Sequence, residues 1–164
     1  MRTSIRFLLG DEVRELVDVD PTMTVLRYLR EVEGRLGTKE GCAEGDCGAC
    51  TVVMVEPDGD GLAHRAINAC IQFLPTLDGK QILTVEDLKS ADGALHSVQQ
   101  AMVDEHASQC GYCTPGFVMS LYAHSQMGGA TDRQSIDDAL TGNLCRCTGY
   151  GPIVAAARAM SDAA

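Results

Sequence analysis

The residues best equipped for chemistry in this 164-residue chain are its eight cysteines. They fall into two tight groups. The first reads Cys42-Ala43-Glu44-Gly45-Asp46-Cys47-Gly48-Ala49-Cys50, with Cys70 alone downstream. The second pairs Cys110-Gly111-Tyr112-Cys113 with Cys145-Arg146-Cys147. Four thiols and then four more leave none over. Thiolate is a soft ligand that selects iron–sulfur clusters, zinc or copper(I). No export signal is visible, and in a reducing compartment paired cysteines more often bind metal than form disulfides. The expected location is the cytoplasm.

The first group has the spacing C-x4-C-x2-C…C, the plant-type pattern for a 2Fe–2S cluster. Such a core on four thiolates stays anionic, so it needs N–H donors, and hydrogen bonds to sulfur tune its potential. Gly41, Gly45 and Gly48 interleave with Cys42, Cys47 and Cys50. Glycine lets a loop wrap closely and turn several amides inward. The competing reading is structural zinc, but zinc knuckles pair two short C-x2–4-C units. Here three cysteines share one loop, which favours the cluster. The loop cysteines are expected near the surface, where an outside partner can exchange electrons.

In the second group, Cys113 precedes Thr114-Pro115, which reads as a cap hydroxyl and a helix-starting proline. Cys147 precedes Thr148-Gly149-Tyr150-Gly151-Pro152 and then an apolar segment. Each cysteine pair is therefore expected just before a helix N-terminus, whose dipole favours an anionic cluster. The two similar segments suggest a pseudo-twofold arrangement. Tetrahedral zinc competes more strongly here.

The elements that must position these groups change character along the chain. Residues 3–9 and 13–19, around Gly10-Asp11-Glu12, predict a β-hairpin. Pro21-Thr22 breaks it, and Val25, Leu26, Leu29 and Val32 follow at helical spacing. Strands are expected at 51–55 and 63–69, around the turn at 57–61. Composition shifts after Asp78-Gly79-Lys80, and Thr84-Val85-Glu86-Asp87 reads as a helix start. Further helices are expected near 95–105, 115–126, 135–140 and 152–160. The pattern is α+β, divided into a domain over 1–82 and a helical domain over 83–164. Halves this small bury modest cores, so metal ligation would help hold each together.

The formal net charge of −10 argues against nucleic acid, where Lys and Arg must neutralise phosphates. It also argues against an anionic membrane surface, and it suits docking on a complementary partner. The apolar run at 5–9 contains Arg6 and is far too short to span a bilayer. His64, His96, His106 and His124 share no motif and read as surface residues. Asp137-Asp138 reads as a solvated helix face, and Met119 and Met127 as packing residues. No Ser–His–Asp order, acid–base carboxylate pair or phosphate loop stands out, so no catalytic residue is assigned.

Residues 41–52, 109–116 and 142–150, with Cys42, Cys47, Cys50, Cys110, Cys113, Cys145 and Cys147, resemble the iron–sulfur region of the molybdenum hydroxylases. That family holds the xanthine dehydrogenase and aldehyde oxidase relatives. The resemblance runs in order over nearly the whole chain. Residues 67–80, with Cys70, are further similar to the small subunit of bacterial xanthine dehydrogenases. It implies a ferredoxin-like β-grasp domain and then a four-helix bundle, with one 2Fe–2S cluster each and iron in place of zinc. Cys42, Cys47, Cys50 and Cys70 would hold the flavin-side cluster, and Cys110, Cys113, Cys145 and Cys147 the molybdenum-side cluster. Gln109 matches a glutamine that hydrogen-bonds the pterin, and Cys147 matches the ligand nearest the pterin amino group. Arg146, between two ligands, reads either as a tuning charge or as a salt-bridge partner.

The implied partners are a molybdopterin-binding large subunit and an FAD-binding domain or subunit, in a hetero-oligomer that could be a dimer of protomers. The implied activity is electron transfer from molybdopterin to FAD during oxidative hydroxylation of a purine such as hypoxanthine or xanthine. The chain itself would perform no substrate chemistry, either as a separate subunit or as a segment of a longer polypeptide. Family members often carry arginine where Gly151 stands. Three alternatives stay open: another molybdenum hydroxylase, acting on aldehydes, other N-heterocycles or carbon monoxide; a free-standing ferredoxin-like carrier; and a zinc-stabilised interaction module.

Overall fold

The computed structural model describes residues 4–160. Strands β1 (Ser4–Leu9) and β2 (Glu12–Val17) form the expected hairpin, paired from Ser4 opposite Val17 to Leu9 opposite Glu12. A short helix α1 (Val25–Arg27) widens into a further turn over Tyr28–Val32. It buries Val25, Leu26, Tyr28 and Leu29, while Val32, the last residue of the helical pattern, is 60% exposed. Arg14 of β2 binds Glu33 just past this turn with two N–H···O contacts of 2.9 and 3.0 Å. Planar guanidinium and carboxylate match best in this two-point form. The Arg14 contacts hold the Glu33 carboxyl below its usual range.

Strands β3 (Thr51–Asp58) and β4 (Gly61–Asn68) pair antiparallel. A third segment, β5 (Gln81–Leu83), slots between β1 and β3, parallel to the first and antiparallel to the second. The mixed sheet runs β2-β1-β5-β3-β4. Sequence pattern missed β5, because three residues display no period. β3 reads as an unbroken apolar run because both of its faces are buried. Val52 and Met54 join the core of Phe7, Leu9, Leu29, Leu74 and Ile82. Val53 and Val55 join a second core with Phe117, Val118, Leu121 and Ile153. One strand thus belongs to two cores, and the helices lie on the sheet face opposite α1.

The expected helix at residue 84 is only a tight single turn over Val85–Leu88. Thr84 N–H donates to Asp87 Oδ2 at 2.7 Å, and Arg35 reaches the same aspartate at 2.5 Å. Four helices follow: α2 (Ser97–Asp104), α3 (Thr114–Gln126), α4 (Arg133–Leu140) and α5 (Gly151–Ala159). Asp132 caps α4 through the amides of Gln134 and Ser135 at 3.0 and 3.2 Å. His96, expected as a surface residue, is half-buried and caps α2: its Nδ1 accepts from Val98 N–H at 3.3 Å. Its ring also stands edge-on to Tyr122, and burial lowers its pKa. α3 is buried on nearly every side, between the sheet and the other helices. No helix among the described residues is long and apolar enough to cross a membrane.

Candidate cluster-binding sites

The loop before β3 is built to point amides at sulfur. Cys42 Sγ accepts from Asp46 N–H and Cys47 N–H, each at 3.4 Å. Cys47 Sγ accepts from Cys42 N–H at 3.4 Å. The amides of Glu44, Cys47 and Asp46 together lower the Cys42 thiol to about 6. The loop turns back on itself through left-handed residues, among them Gly45 at φ +84. Asn68 Nδ2 of β4 donates to Gly45 O at 2.7 Å and fastens the loop to the sheet. A Cβ on Gly41 would sit 2.7 Å from Cys47 Sγ, so any side chain there would crowd the sulfur.

The β3–β4 pairing supplies the other two thiols of this group. Thr51 lies opposite Asn68, so Cys50 and Cys70 come to the same end of the hairpin. They are 2% and 8% exposed. The expectation of surface cysteines therefore fits Cys42 and Cys47, which are half-buried, and not Cys50. Burial first, then the neighbouring Cys70, pushes the Cys50 thiol up to about 12.

In the second group, Cys113 directly precedes α3, and Cys145 and Cys147 lie between α4 and α5. Thr114 does not cap α3 as expected. Its hydroxyl pairs with Ser108 Oγ at 2.7 Å instead. The corresponding Thr148 serves a thiol. Its Oγ1 donates to Cys145 Sγ at 3.1 Å, and its amide approaches the same sulfur at 3.5 Å. Burial works to raise the Cys145 thiol, but Thr148 and the Cys147 amide outweigh it and leave it at about 7. Tyr150, in the left-handed region at φ +67, returns its hydroxyl to accept from Cys145 N–H at 3.0 Å. Burial, followed by the Cys145 contact, pushes the Cys113 thiol up to about 12. The Cys147 thiol is raised chiefly by its contact with Cys110.

The eight thiols thus stand as four touching pairs: Cys42 with Cys47, Cys50 with Cys70, Cys110 with Cys147, and Cys113 with Cys145. Pairs of thiolates are what a two-iron core takes, two on each iron. The all-thiol donor set and the amides and hydroxyl aimed at sulfur fit 2Fe–2S clusters.

The two groups also meet each other. One cavity of about 410 Å³ is lined by Cys42, Cys47, Cys110, Cys113, Cys145 and Cys147. Leu144 N–H donates to Cys47 O at 3.0 Å, and the Tyr112 hydroxyl donates to Glu40 O. Gln109, Cys110, Arg146 and Cys147 are exposed. Sequence reading overlooked Asn143, Thr148 and Tyr150 as functional residues. Only Thr148 carried a signal, a hydroxyl placed directly after a ligand.

Comparison with known proteins decides the family. Residues 9–74 match the 2Fe-2S iron-sulfur cluster binding domain, and residues 84–158 match the [2Fe-2S] binding domain. The fold matches the crystal structure of quinoline 2-oxidoreductase from Pseudomonas putida 86 with a TM-score of 0.84 at 33% identity. That match covers 98% of this chain and 94% of the other. The chain belongs to the molybdenum hydroxylase family. This molybdenum hydroxylase chain is also 47% identical over 161 residues to xanthine dehydrogenase of Emericella nidulans, covering 97% of this chain and 12% of that protein. Aldehyde oxidoreductase from Desulfovibrio gigas matches with a TM-score of 0.84 at 32% identity, over 96% of this chain and 17% of the other. The molybdenum hydroxylase chain thus spans about an eighth of the xanthine dehydrogenase it matches. It is the iron–sulfur, electron-transfer part of an oxidoreductase.

Proposed function

We propose that this chain passes single electrons from a molybdopterin centre to FAD during oxidative hydroxylation of a purine such as xanthine. The observation that carries this reading is the set of four thiol pairs, two of them in each cysteine group, three of which line one shared cavity while Cys50 and Cys70 lie buried. The sheet half reads as a ferredoxin-like β-grasp domain, and the helical half as a four-helix bundle. Cys42 with Cys47, and Cys50 with Cys70, would each hold one iron of the flavin-side cluster. Cys110 with Cys147, and Cys113 with Cys145, would do the same on the molybdenum side. When bound, such clusters supply one-electron redox centres.

The chain's own residues set the conditions for that chemistry. Amides of Asp46 and Cys47 favour the charged form of the Cys42 sulfur, and the Thr148 hydroxyl does so for Cys145. Burial of Cys50 and Cys70, with Cys113 half-buried, limits water around the sulfurs, a further control on potential. Gln109, Cys110 and Cys147 are exposed, as a contact with pterin on a large subunit needs. The half-buried loop of Cys42 and Cys47, rimmed by exposed Glu44, lies open to a flavin-binding domain or subunit. The assembly we infer is a cytoplasmic hetero-oligomer, compatible with a dimer of protomers.

A second substrate reading has its own support. The quinoline 2-oxidoreductase chain matched over 94% of its length points to another N-heterocycle. The test is anaerobic addition of xanthine, quinoline or dithionite to the complex that co-purifies with this chain, read by low-temperature EPR. Xanthine is expected to produce two distinct reduced-cluster signals. Two signals with quinoline and none with xanthine would move the substrate to the second reading. Silence in all three tubes would refute electron transfer by this chain.

A further inference from the structure

We infer that Asn143 is a positioning residue that sets the separation of the two cysteine groups and so governs how fast an electron crosses between them. This rests on the two-cluster reading above. Asn143 is 5% exposed and uses its whole carboxamide. Oδ1 accepts from Ser120 Oγ of α3 at 2.7 Å. Nδ2 donates to Gly48 O at 3.2 Å and to Thr51 Oγ1 of β3 at 3.3 Å. Its backbone N–H donates to Leu140 O at the end of α4 at 2.9 Å. One buried side chain therefore ties α3 to the loop and strand that carry Cys47 and Cys50.

What it holds in place is the contact between ligand-bearing loops. The next residue, Leu144, donates its N–H to Cys47 O, and Leu144 is bonded to Cys145. A single hydrogen bond thus separates the backbone of a cysteine in one group from the residue preceding a cysteine in the other. Around it the backbones touch. A Cβ on Gly48 would lie 2.9 Å from Asn143 Cα, and one on Gly116 would lie 3.1 Å from the Gly48 carbonyl carbon. Tunnelling falls off exponentially with distance, so a residue that fixes this separation fixes the rate. The step would be simple in balance: a cluster held by Cys110, Cys113, Cys145 and Cys147 would lose one electron, and a cluster held by Cys42, Cys47, Cys50 and Cys70 would gain it. No bond or proton changes.

A buried amide with both its oxygen and its nitrogen hydrogen-bonded cannot be truncated without leaving partners unpaired. Removing it frees the Leu144–Cys47 contact to lengthen. The test uses the intact complex carrying Asn143→Ala and, separately, Ser120→Ala, which removes only the anchor behind Asn143. Iron content and both reduced-cluster EPR signals are measured first. The readouts are then the magnetic splitting between the reduced clusters and the rate of intercluster transfer after flash reduction. Asn143→Ala is expected to keep both clusters, lose splitting and slow transfer severalfold, as exponential decay gives for a gap lengthened by an ångström or two. Ser120→Ala is expected to shift both readouts in the same direction by less. Unchanged splitting and rate in Asn143→Ala overturn the inference. If that variant loses its clusters, unchanged values in Ser120→Ala overturn it and reduced values support it. A parent complex without two cluster signals would instead remove the two-cluster reading, and the inference with it.

Discussion

The Cys147→Ser chain is expected to lose one of two iron–sulfur EPR signals completely and keep the other. Cys147 and Cys110 form the exposed thiol pair of the helical half. Serine is a far poorer ligand for iron than thiolate, so Cys110 would be left alone on its iron. The sheet-side group is held by separate contacts: the Cys42 and Cys47 amides, Asn68 on Gly45, and the β3–β4 register. None of these involves Cys147. The sheet-side signal should therefore persist after dithionite reduction, while substrate no longer reduces it. Retention of both signals with normal substrate-driven reduction would contradict the assignment of Cys147.

The second large effect is expected from Gly48→Ala. Gly48 sits at φ +70, and an added methyl group would meet the Gly142 carbonyl and Asn143. A left-handed residue with a side chain costs roughly 1–2 kcal/mol. Forcing extra volume into a packed contact costs roughly 1–3 kcal/mol more. Against a typical total of about 5–15 kcal/mol, such a loss is severe. Gly59→Ala separates the two causes. Gly59 also has a positive φ, +59, but nothing lies within 4 Å of its would-be Cβ. Urea unfolding is expected to place Gly59→Ala below the parent by the backbone cost alone, about 1–2 kcal/mol, and Gly48→Ala clearly lower still. Equal destabilisation of the two would show that only backbone strain matters, and that the loops do not touch as described.

The ligand residues were legible because their spacing is itself the chemistry. Sulfurs that must reach one small core cannot be scattered, and Cys42, Cys47 and Cys50 announce themselves. The β1–β2 hairpin and the four helices were legible from period and punctuation. What failed was either too short or too remote. β5 has three residues, and the turn at Val85–Leu88 carries the same hydroxyl-and-acid signature as a full helix start. Thr114 and Thr148 follow cysteines in similar motifs, yet one bonds Ser108 and the other a cysteine sulfur. Asn143 was illegible for a deeper reason. Its partners Gly48 and Ser120 lie 95 and 23 residues away, and only the folded chain brings them together.

The eight thiols are expected to hold two separate 2Fe–2S clusters. Low-temperature EPR with spin counting on the dithionite-reduced protein, alongside iron and zinc analysis of the same sample, tests it most directly. Two distinct signals of equal intensity are expected, each amounting to a single spin per chain, with iron and no zinc. A colourless, EPR-silent protein containing zinc, or one signal accounting for all the iron, would contradict it.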